Sequence, residues 1–339
     1  MVSMNSQDEA CELRKPPVRD RIRKIAENIK DTFQGKLLTD EPMALHTTMQ
    51  VGGDAALFAE PTDLQSLVLL LAQCAKAGVP FFVLGGGSNI IVRDEGFCGV
   101  MVCMSHFNTI ELAANRVICG AGAKTARVVD FFAQNGITGM QSFAGLPGSI
   151  GGACYMNARC YSHDIAELLD FVEYFDADEL ALYTETPCNF VEKRMKMLHN
   201  ATQDERWSYK HSPFMGERLV VTRVALKARQ RDISNASSLK AQGDAFIADR
   251  TAKGHFRAPS CGSVFKNNRA FGKPSGALID EAGLKGAKAG GAQIAPWHAN
   301  IIINAGGATA ADVKSLVDLA HNTVMNKTGF DLECEVIFV

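Results

Sequence analysis

This 339-residue chain has almost no net charge: 35 lysines and arginines face 37 aspartates and glutamates, a formal balance of −2. No basic field remains to attract nucleic acid or an anionic membrane surface, and neither is expected as a partner. Extended apolar stretches are absent too. The longest, Leu67 to Ala72, is soon broken by Gln73 and Lys76. It falls far short of the roughly 18 residues that a membrane span requires, so no membrane insertion is expected. The basic stretch from Arg14 to Lys24 leads into Glu27 and Lys30 instead of an apolar signal core, and the expectation is a cytoplasmic location. Cysteine is plentiful but unpatterned. Cys11, Cys74, Cys98, Cys103, Cys119, Cys154, Cys160, Cys188, Cys261 and Cys334 form no CxxC pair and have no histidines at zinc spacing. They read as free thiols in a reducing compartment, and no metal site is expected. Internal repeats and low-complexity tracts are also absent.

What is present describes a globular protein of two or three domains, with 47% hydrophobic and 21% charged residues. Ile22, Ile25, Ile29 and Phe33 recur at helical spacing within 19–33 and predict an N-terminal helix packed on the main body. A short strand at 57–60 precedes a helix from Thr62 to Lys76, with Leu64, Leu67, Leu71 and Ala75 on one face and Gly78 as its stop. Strands follow at 81–84, 99–104 and 116–119, and a helix at 126–134. Short strands and polar connections are expected over 186–232, with the charge-rich stretch 227–232 as the domain boundary. Beyond it come helices at 236–253 and 310–327, the second striped by Val313, Leu316, Val317, Ala320 and Val324, and then an extended tail. The pattern is α+β.

The chemistry is signalled by glycine. Val83-Leu84-Gly85-Gly86-Gly87-Ser88-Asn89-Ile90-Ile91 runs an apolar strand into three glycines and two small polar residues. Glycines let backbone N–H groups approach a phosphate, and the Ser hydroxyl and Asn amide can donate further hydrogen bonds. The β-branched Ile90, Ile91 and Val92 predict that a strand follows, which separates this loop from the dinucleotide-binding GxGxxG; taken alone, a plain glycine turn would look the same. Three further clusters accompany it: Val51-Gly52-Gly53, Gly120-Ala121-Gly122 and Gly145-Leu146-Pro147-Gly148-Ser149-Ile150-Gly151-Gly152-Ala153. Four such clusters within about 100 residues point to a long ligand containing a pyrophosphate.

In order and spacing, these clusters together with His46-Thr47-Thr48, Met156-Asn157-Ala158, Cys261-Gly262-Ser263-Val264-Phe265-Lys266-Asn267, Leu278-Ile279-Asp280, Ala282-Gly283-Leu284-Lys285-Gly286, His298-Ala299-Asn300 and Glu335-Val336 resemble the UDP-N-acetylenolpyruvoylglucosamine reductase family. These flavoenzymes make UDP-N-acetylmuramate for bacterial cell walls. The resemblance runs from about residue 40 to the end. It implies FAD, bound non-covalently in a vanillyl-alcohol-oxidase (PCMH) type fold of two α+β subdomains, with a C-terminal α+β substrate domain. On that reading residues 1–35 are an N-terminal extension and helix, 36–232 the FAD-binding domain and 233–339 the substrate-binding domain. The short interval from Lys210 to Ser263 resembles the smaller subtype, which lacks the long substrate-capping insert. A monomer is expected.

The resemblance also implies the reaction. NADPH, the co-substrate, gives a hydride to FAD, and the reduced flavin passes one to C3 of the enolpyruvyl group of UDP-N-acetylglucosamine enolpyruvate. Negative charge builds at C2 and its carboxylate, and an acid then protonates C2. The family's acid, a serine, maps onto Ser263, its acidic residue onto Glu335 and its cation onto Lys210. FAD contacts carry over to Val51, Gly52, Gly85, Gly86, Gly87, Ser88, Asn89, Ile90, Gly120, Gly145, Pro147, Gly148, Ser149, Gly151 and Gly152, and substrate contacts to Tyr209, Asn267, Lys285 and His298.

Three segments depart from the family pattern, one of them Arg159-Cys160-Tyr161-Ser162 where the family has Gly-Ala-Tyr-Gly. Tyr209-Lys210-His211-Ser212 has lysine where Tyr-Arg-x-Ser has arginine, so the charge is kept and the planar fork is lost. Either Lys210 serves alone, or a neighbour such as Arg206 or His211 compensates. Arg159 stands where the family has glycine, and His46 where it has asparagine. Two other functions share this scaffold: an FAD oxidase of alcohols or sugars, and a flavin-binding protein without turnover. Flavin that survives acid precipitation would mark the first, and absent turnover the second.

Overall fold

In the computed structural model, which describes residues 16–182, 187–199 and 204–339, the isoleucine stripe forms α1 (Val18–Ile29) and is buried. The next elements are β1 (Gly35–Pro42), β2 (Asp54–Pro61), α2 (Leu64–Ala77), β3 (Phe81–Leu84), β4 (Ile90–Ile91) and β5 (Phe97–Cys103). Asp63 caps α2 by accepting from the Ser66 amide at 2.7 Å, and Gly78 closes it in the left-handed conformation. β1, β2, β5 and β3 form one sheet in that order, with β2 and β3 parallel to β5 and β1 antiparallel to β2. The sequence placed the second strand at its apolar end only. Asp54 and Ala55 also belong to it, because they pair with β1 from the far side.

A second subdomain contains β6 (Ile110–Ala113), β7 (Arg116–Gly120), α3 (Thr125–Gln134), α4 (Ile150–Tyr155), the two-residue strands β8 (Arg159–Cys160) and β9 (His163–Asp164), β10 (Leu169–Asp176), α5 (Pro187–Arg194), β11 (Lys196–His199) and β12 (Leu219–Lys227). An antiparallel sheet runs β11, β10, β12, β7, β6. One apolar core spans both subdomains, from Ile22 and Leu67 through Val102 and Phe132 to Phe175 and Val224.

The last part contains α6 (Ala236–Ala252), β13 (Ser260–Ser263), α7 (Ser275–Glu281), β14 (Lys288–Ala289), β15 (Ala292–Ile294), β16 (Ile301–Asn304), α8 (Ala310–Thr328) and β17 (Ile337–Phe338). α6 packs against α3 and the single turn at Gln141–Phe143. β13, β16, β15 and β14 form an antiparallel sheet over a core of Ile279, Ile294, Ile302, Val313, Leu316 and Val324. Met49, Val51 and Ile91 of the first subdomain belong to that same core.

Polar ties reinforce this junction. Thr48 Oγ1 donates to the Ser260 carbonyl at 2.7 Å, and Asn304 Nδ2 to the Met49 carbonyl at 3.2 Å. The Asp94 carboxylate accepts from the Ala310 and Ala311 amides at 2.7 and 2.9 Å, the first turn of α8. The extended tail becomes β17, which pairs in parallel with β4 in the register Ile337 to Ile90 and Phe338 to Ile91. The chain's end therefore returns to the segment that follows the first glycine loop. The eight cysteines whose side chains are described are unpaired; Cys11 and the Cys188 side chain lie outside the described residues. None of the described helices is long and apolar enough to cross a membrane.

Asp94 places an anion on orphan amides at the positive end of a 19-residue helix. Asp94→Ala is expected to lower the urea-unfolding free energy by about 1–2 kcal/mol. An unchanged midpoint and slope would show that the tie contributes nothing.

Candidate active site

Where the three parts meet, a cleft of about 930 Å³ opens, near the top of the roughly 300–1,000 Å³ usual for small-molecule sites. Two glycine loops form one wall. The loops interlock so closely that a Cβ on Gly86 would lie 2.4 Å from Gly148 Cα, and one on Gly85 would lie 2.4 Å from Ser149 Oγ. Gly87 has φ +61°, and a Cβ there would meet the His46 carbonyl oxygen at 2.0 Å. These glycines are thus required first by loop-on-loop contact, and the contact leaves mostly main chain, Ser88 and Asn89 facing the cleft. That is the surface a diphosphate linker fits. The first loop continues into β4, as its β-branched residues predict; the second runs into α4, which Ser149 caps by accepting from the Gly152 amide at 3.2 Å. The short apolar run of α4 contains two glycines and gave no helical signal of its own.

Facing the loops is a corner made by three distant parts of the chain. β13 carries an irregularity between Ser260 and Ser263, with Gly262 at φ +73°, and Ser263 lines the cleft. Its hydroxyl makes no hydrogen bond to any described residue. Glu335, two residues before β17, is set by Asn89: the Asn89 side-chain amide donates to the Glu335 carbonyl at 3.0 Å, and the Asn89 main-chain carbonyl accepts from the Ile337 amide at 3.0 Å. Lys210 Nζ pairs with Glu335 Oε1 at 2.5 Å, and both side chains are largely buried, at 16% and 11% exposure. Arg206 and His211, the other cation candidates, are engaged elsewhere. Arg206 pairs with Asp204, and the His211 ring meets the Arg206 carbonyl.

Lys210 sits at the tip of a two-residue turn closed by reciprocal bonds between Ser208 and His211, with φ +54°. Two buried side chains hold this turn. Asn157 Nδ2 donates to the Ser208 carbonyl at 2.7 Å while its Oδ1 accepts from the Ala166 amide at 3.2 Å, and Ser212 Oγ donates to the Tyr155 carbonyl at 2.6 Å. Both come from motifs visible in the sequence, but a positioning role cannot be read from residue type alone.

Of the sequence-selected cofactor residues, Gly85 to Ile90, Pro147, Gly148, Ser149, Gly151 and Gly152 line the cleft. Val51 is buried in the C-terminal core, Gly52 lies against Val92, Gly120 against the Phe107 carbonyl, and Gly145 beside Arg250 and Phe256. Among the substrate residues, Tyr209 accepts from the Asn267 amide at 3.4 Å, and Asn267 Oδ1 caps α7 at the Ser275 amide, 2.9 Å away. Lys285 pairs with Asp280 at 2.6 Å outside the cleft wall. His298 lies behind the wall, its ring 5.7 Å from that of His255, which does line the cleft. Burial and neighbouring Arg250 push the His255 ring down to about 4, so it is neutral at pH 7. Cys261, the alternative proton donor nearest in sequence, donates its thiol to the Ile90 carbonyl, and burial pushes it up to about 12.

The sequence reading missed the cations that α6 and the residues after it bring to the cleft: Arg250 and, beyond the helix end, Lys253 and Arg257. Among the described residues Arg250 has no carboxylate partner; one guanidinium nitrogen meets Cys160 Sγ at 3.2 Å and its buried Nε has no partner there. The weak signal was RTAK, a pair of basic residues at the end of a helix that the sequence located without assigning it a role.

Residues 55–181 match the family described as "FAD binding domain", and residues 254–339 match "UDP-N-acetylenolpyruvoylglucosamine reductase, C-terminal domain". A reductase of that name from Treponema denticola is 39% identical over 322 residues, covering 90% of this chain and 94% of the relative. Its counterpart from Treponema pallidum is 37% identical, covering 88% and 92%. The crystal structure of the Thermus caldophilus reductase superposes with a TM-score of 0.69 at 28% identity, over 90% of this chain and 99% of that one.

The chain thus carries FAD, in a fold of the vanillyl-alcohol-oxidase (PCMH) type. Gly87→Val adds a branched side chain where the backbone is left-handed and the space is filled by the His46 carbonyl. The purified variant should retain less than a tenth of the wild-type flavin per chain by visible absorbance, and full flavin content would refute the cradle.

Proposed function

The chain belongs to the UDP-N-acetylenolpyruvoylglucosamine reductase family, and we propose that Ser263, Lys210 and Glu335 perform the part of its reaction that falls to side chains. It is an FAD-containing, NADPH-dependent oxidoreductase that reduces the enolpyruvyl group of UDP-N-acetylglucosamine enolpyruvate to give UDP-N-acetylmuramate for peptidoglycan. The observation that supports the assignment is the Lys210–Glu335 ion pair in one cleft with Ser263 and the glycine loops.

FAD held there supplies the hydride relay from NADPH to C3. As C3 gains the hydride, electron density shifts to C2 and its carboxylate. The Lys210 ammonium, in a half-desolvated corner, opposes that charge more strongly than it would in water. Glu335 fixes the ammonium, which a flexible lysine stem cannot do for itself. The Ser263 hydroxyl, unengaged by any described residue, delivers its proton to C2 and recovers one from solvent. For the substrate diphosphate, Arg250 and Arg257 on the cleft wall are better placed than Lys285, which lies outside it and pairs with Asp280; Lys253 also lines the cleft but is itself paired with Asp249 at 2.6 Å. We extend the proposal to a monomer working in the cytoplasm. The cleft is completed by this one chain, and NADPH and nucleotide sugars are cytoplasmic metabolites.

Lys210→Ala should lower kcat by about 10²-fold or more through lost charge stabilisation. Lys210→Arg should retain or raise it, because the guanidinium keeps the charge and adds the fork. A wild-type rate in the alanine variant would place the cation elsewhere.

The two half-reactions separate the role of Ser263 from a structural one. Flavin reduction by NADPH needs no proton at C2, so Ser263→Ala should bleach the flavin at close to the normal rate in stopped flow. Reoxidation by the enolpyruvyl substrate should slow by about 10² to 10⁴-fold, the usual loss for a positioned acid. Ser263→Cys should recover part of it. Normal reoxidation in the alanine variant would assign the proton to another group, and loss of flavin would make Ser263 structural.

A further inference from the structure

The cleft wall contains a second cation close to Lys210 whose setting is not that of a structural ion pair. Arg159 lies in the hairpin made by β8 and β9, paired across it with Asp164, and its guanidinium is 5.9 Å from the ring centre of Tyr209, the residue before Lys210. Arg159 Nη1 donates to Asp164 Oδ2 at 2.7 Å, with side-chain exposures of 25% and 21%. An exposed pair of this kind would be nearly neutral in energy, and a half-buried one costs desolvation unless every polar atom finds a partner. Here one does not: Asp164 Oδ1 is buried without a hydrogen bond. Burial also pulls the Asp164 carboxyl above the ordinary carboxylate range despite the arginine beside it. The hairpin turn adds local strain, with Tyr161 at φ +54°, and Tyr161 ties the turn to α6 through Asp249 at 2.7 Å. Imperfect pairing and a strained backbone on a cleft wall are features that accompany ligand contact more than packing.

The charge balance points the same way. Lys210 is matched one-to-one by Glu335, so this corner offers an anionic substrate a neutral pair and a compact point charge. Arg159 uses one of its five N–H donors on Asp164 and lines the same cleft with a planar fork. We propose that Arg159 is a substrate ligand that takes an anionic group of the sugar nucleotide and supplies the bidentate donor that Lys210 lacks. The inference rests on the reduction of the enolpyruvyl sugar nucleotide stated above. Two anions of that substrate share the chemistry, the enolpyruvyl carboxylate and the diphosphate.

The test measures binding by calorimetry to the FAD-loaded enzyme, using the enolpyruvyl substrate and, separately, UDP-N-acetylglucosamine, which has the diphosphate but no carboxylate. Arg159→Ala should weaken the enolpyruvyl compound by about 10- to 100-fold, the size of a lost charge-assisted hydrogen bond. Flavin reduction by NADPH should stay near wild type. UDP-N-acetylglucosamine affinity that is unchanged assigns the carboxylate; an equal loss assigns the diphosphate. Arg159→Lys, which preserves charge and bulk, should recover only part of the affinity. On the carboxylate assignment, Lys210→Arg introduced into Arg159→Ala should restore binding and reoxidation. Wild-type affinity in Arg159→Ala, or a proportional loss of both half-reactions, overturns the inference. A wild-type enzyme that does not turn over the enolpyruvyl substrate overturns the functional reading, and this inference with it.

Discussion

The cleft depends on one pairing: the chain's last strand, β17, lies parallel to β4, the two residues that leave the first glycine loop. Asn89 is the joint. Through its amide and its own carbonyl it bonds the last segment on either side of Val336, so the backbone around Glu335 and the glycine loop form a single unit. A parallel pair two residues long is weak by itself. It is held because Ile90 and Ile91 are buried while Thr48, Asp94 and Asn304 fasten the same junction from three other directions. Cofactor loop and acidic residue, far apart in sequence, therefore cannot move independently.

The second constraint is electrostatic. A cleft that receives an anionic substrate needs cations, and burying cations requires partners or a ligand to come. The structure uses both arrangements. Lys210 and Arg159 have carboxylates beside them, whereas Arg250 has a thiol, the Tyr161 ring at 5.7 Å and one unpartnered nitrogen. Arg250 and the neutral His255 line the same cleft as the Lys210–Glu335 pair, so a cation with no carboxylate partner among the described residues accompanies the paired ones.

How much of this was legible follows from the range of the forces involved. The glycine loops and the apolar stripes of α1, α2 and α8 were readable because their causes are local: backbone conformation, close approach and period. The reason for Gly86 was not local. Its missing side chain makes room for Gly148, a residue 62 positions later, and sequence could suggest only that the ligand was the cause. α4 and β10 left little trace, the first because it contains two glycines, the second because Glu173 interrupts its apolar run. That glutamate is buried only by virtue of Arg223 and Thr222 on the neighbouring strand. Lys285 had the right residue type in a conspicuous turn, yet Asp280, five residues away, takes its charge. The cations of α6 had an ordinary pattern and gained their meaning from where the helix end points.

Lys210 shows why precision at such a site is a tertiary property. A non-glycine residue in the left-handed region costs roughly 1–2 kcal/mol, so the turn that presents Lys210 would relax if left to its own preferences. Asn157 and Ser212 prevent that by bonding backbone carbonyls at Ser208 and Tyr155 from positions with almost no solvent exposure, where no water competes. Asn157 is itself left-handed, at φ +40°, and is held by the Ala166 amide. The strain is thus passed inward, from a turn that must reach the substrate to an amide locked in the core. The ammonium keeps its place against Glu335 because the cost of holding it is met in the folded interior and not at the moment of reaction.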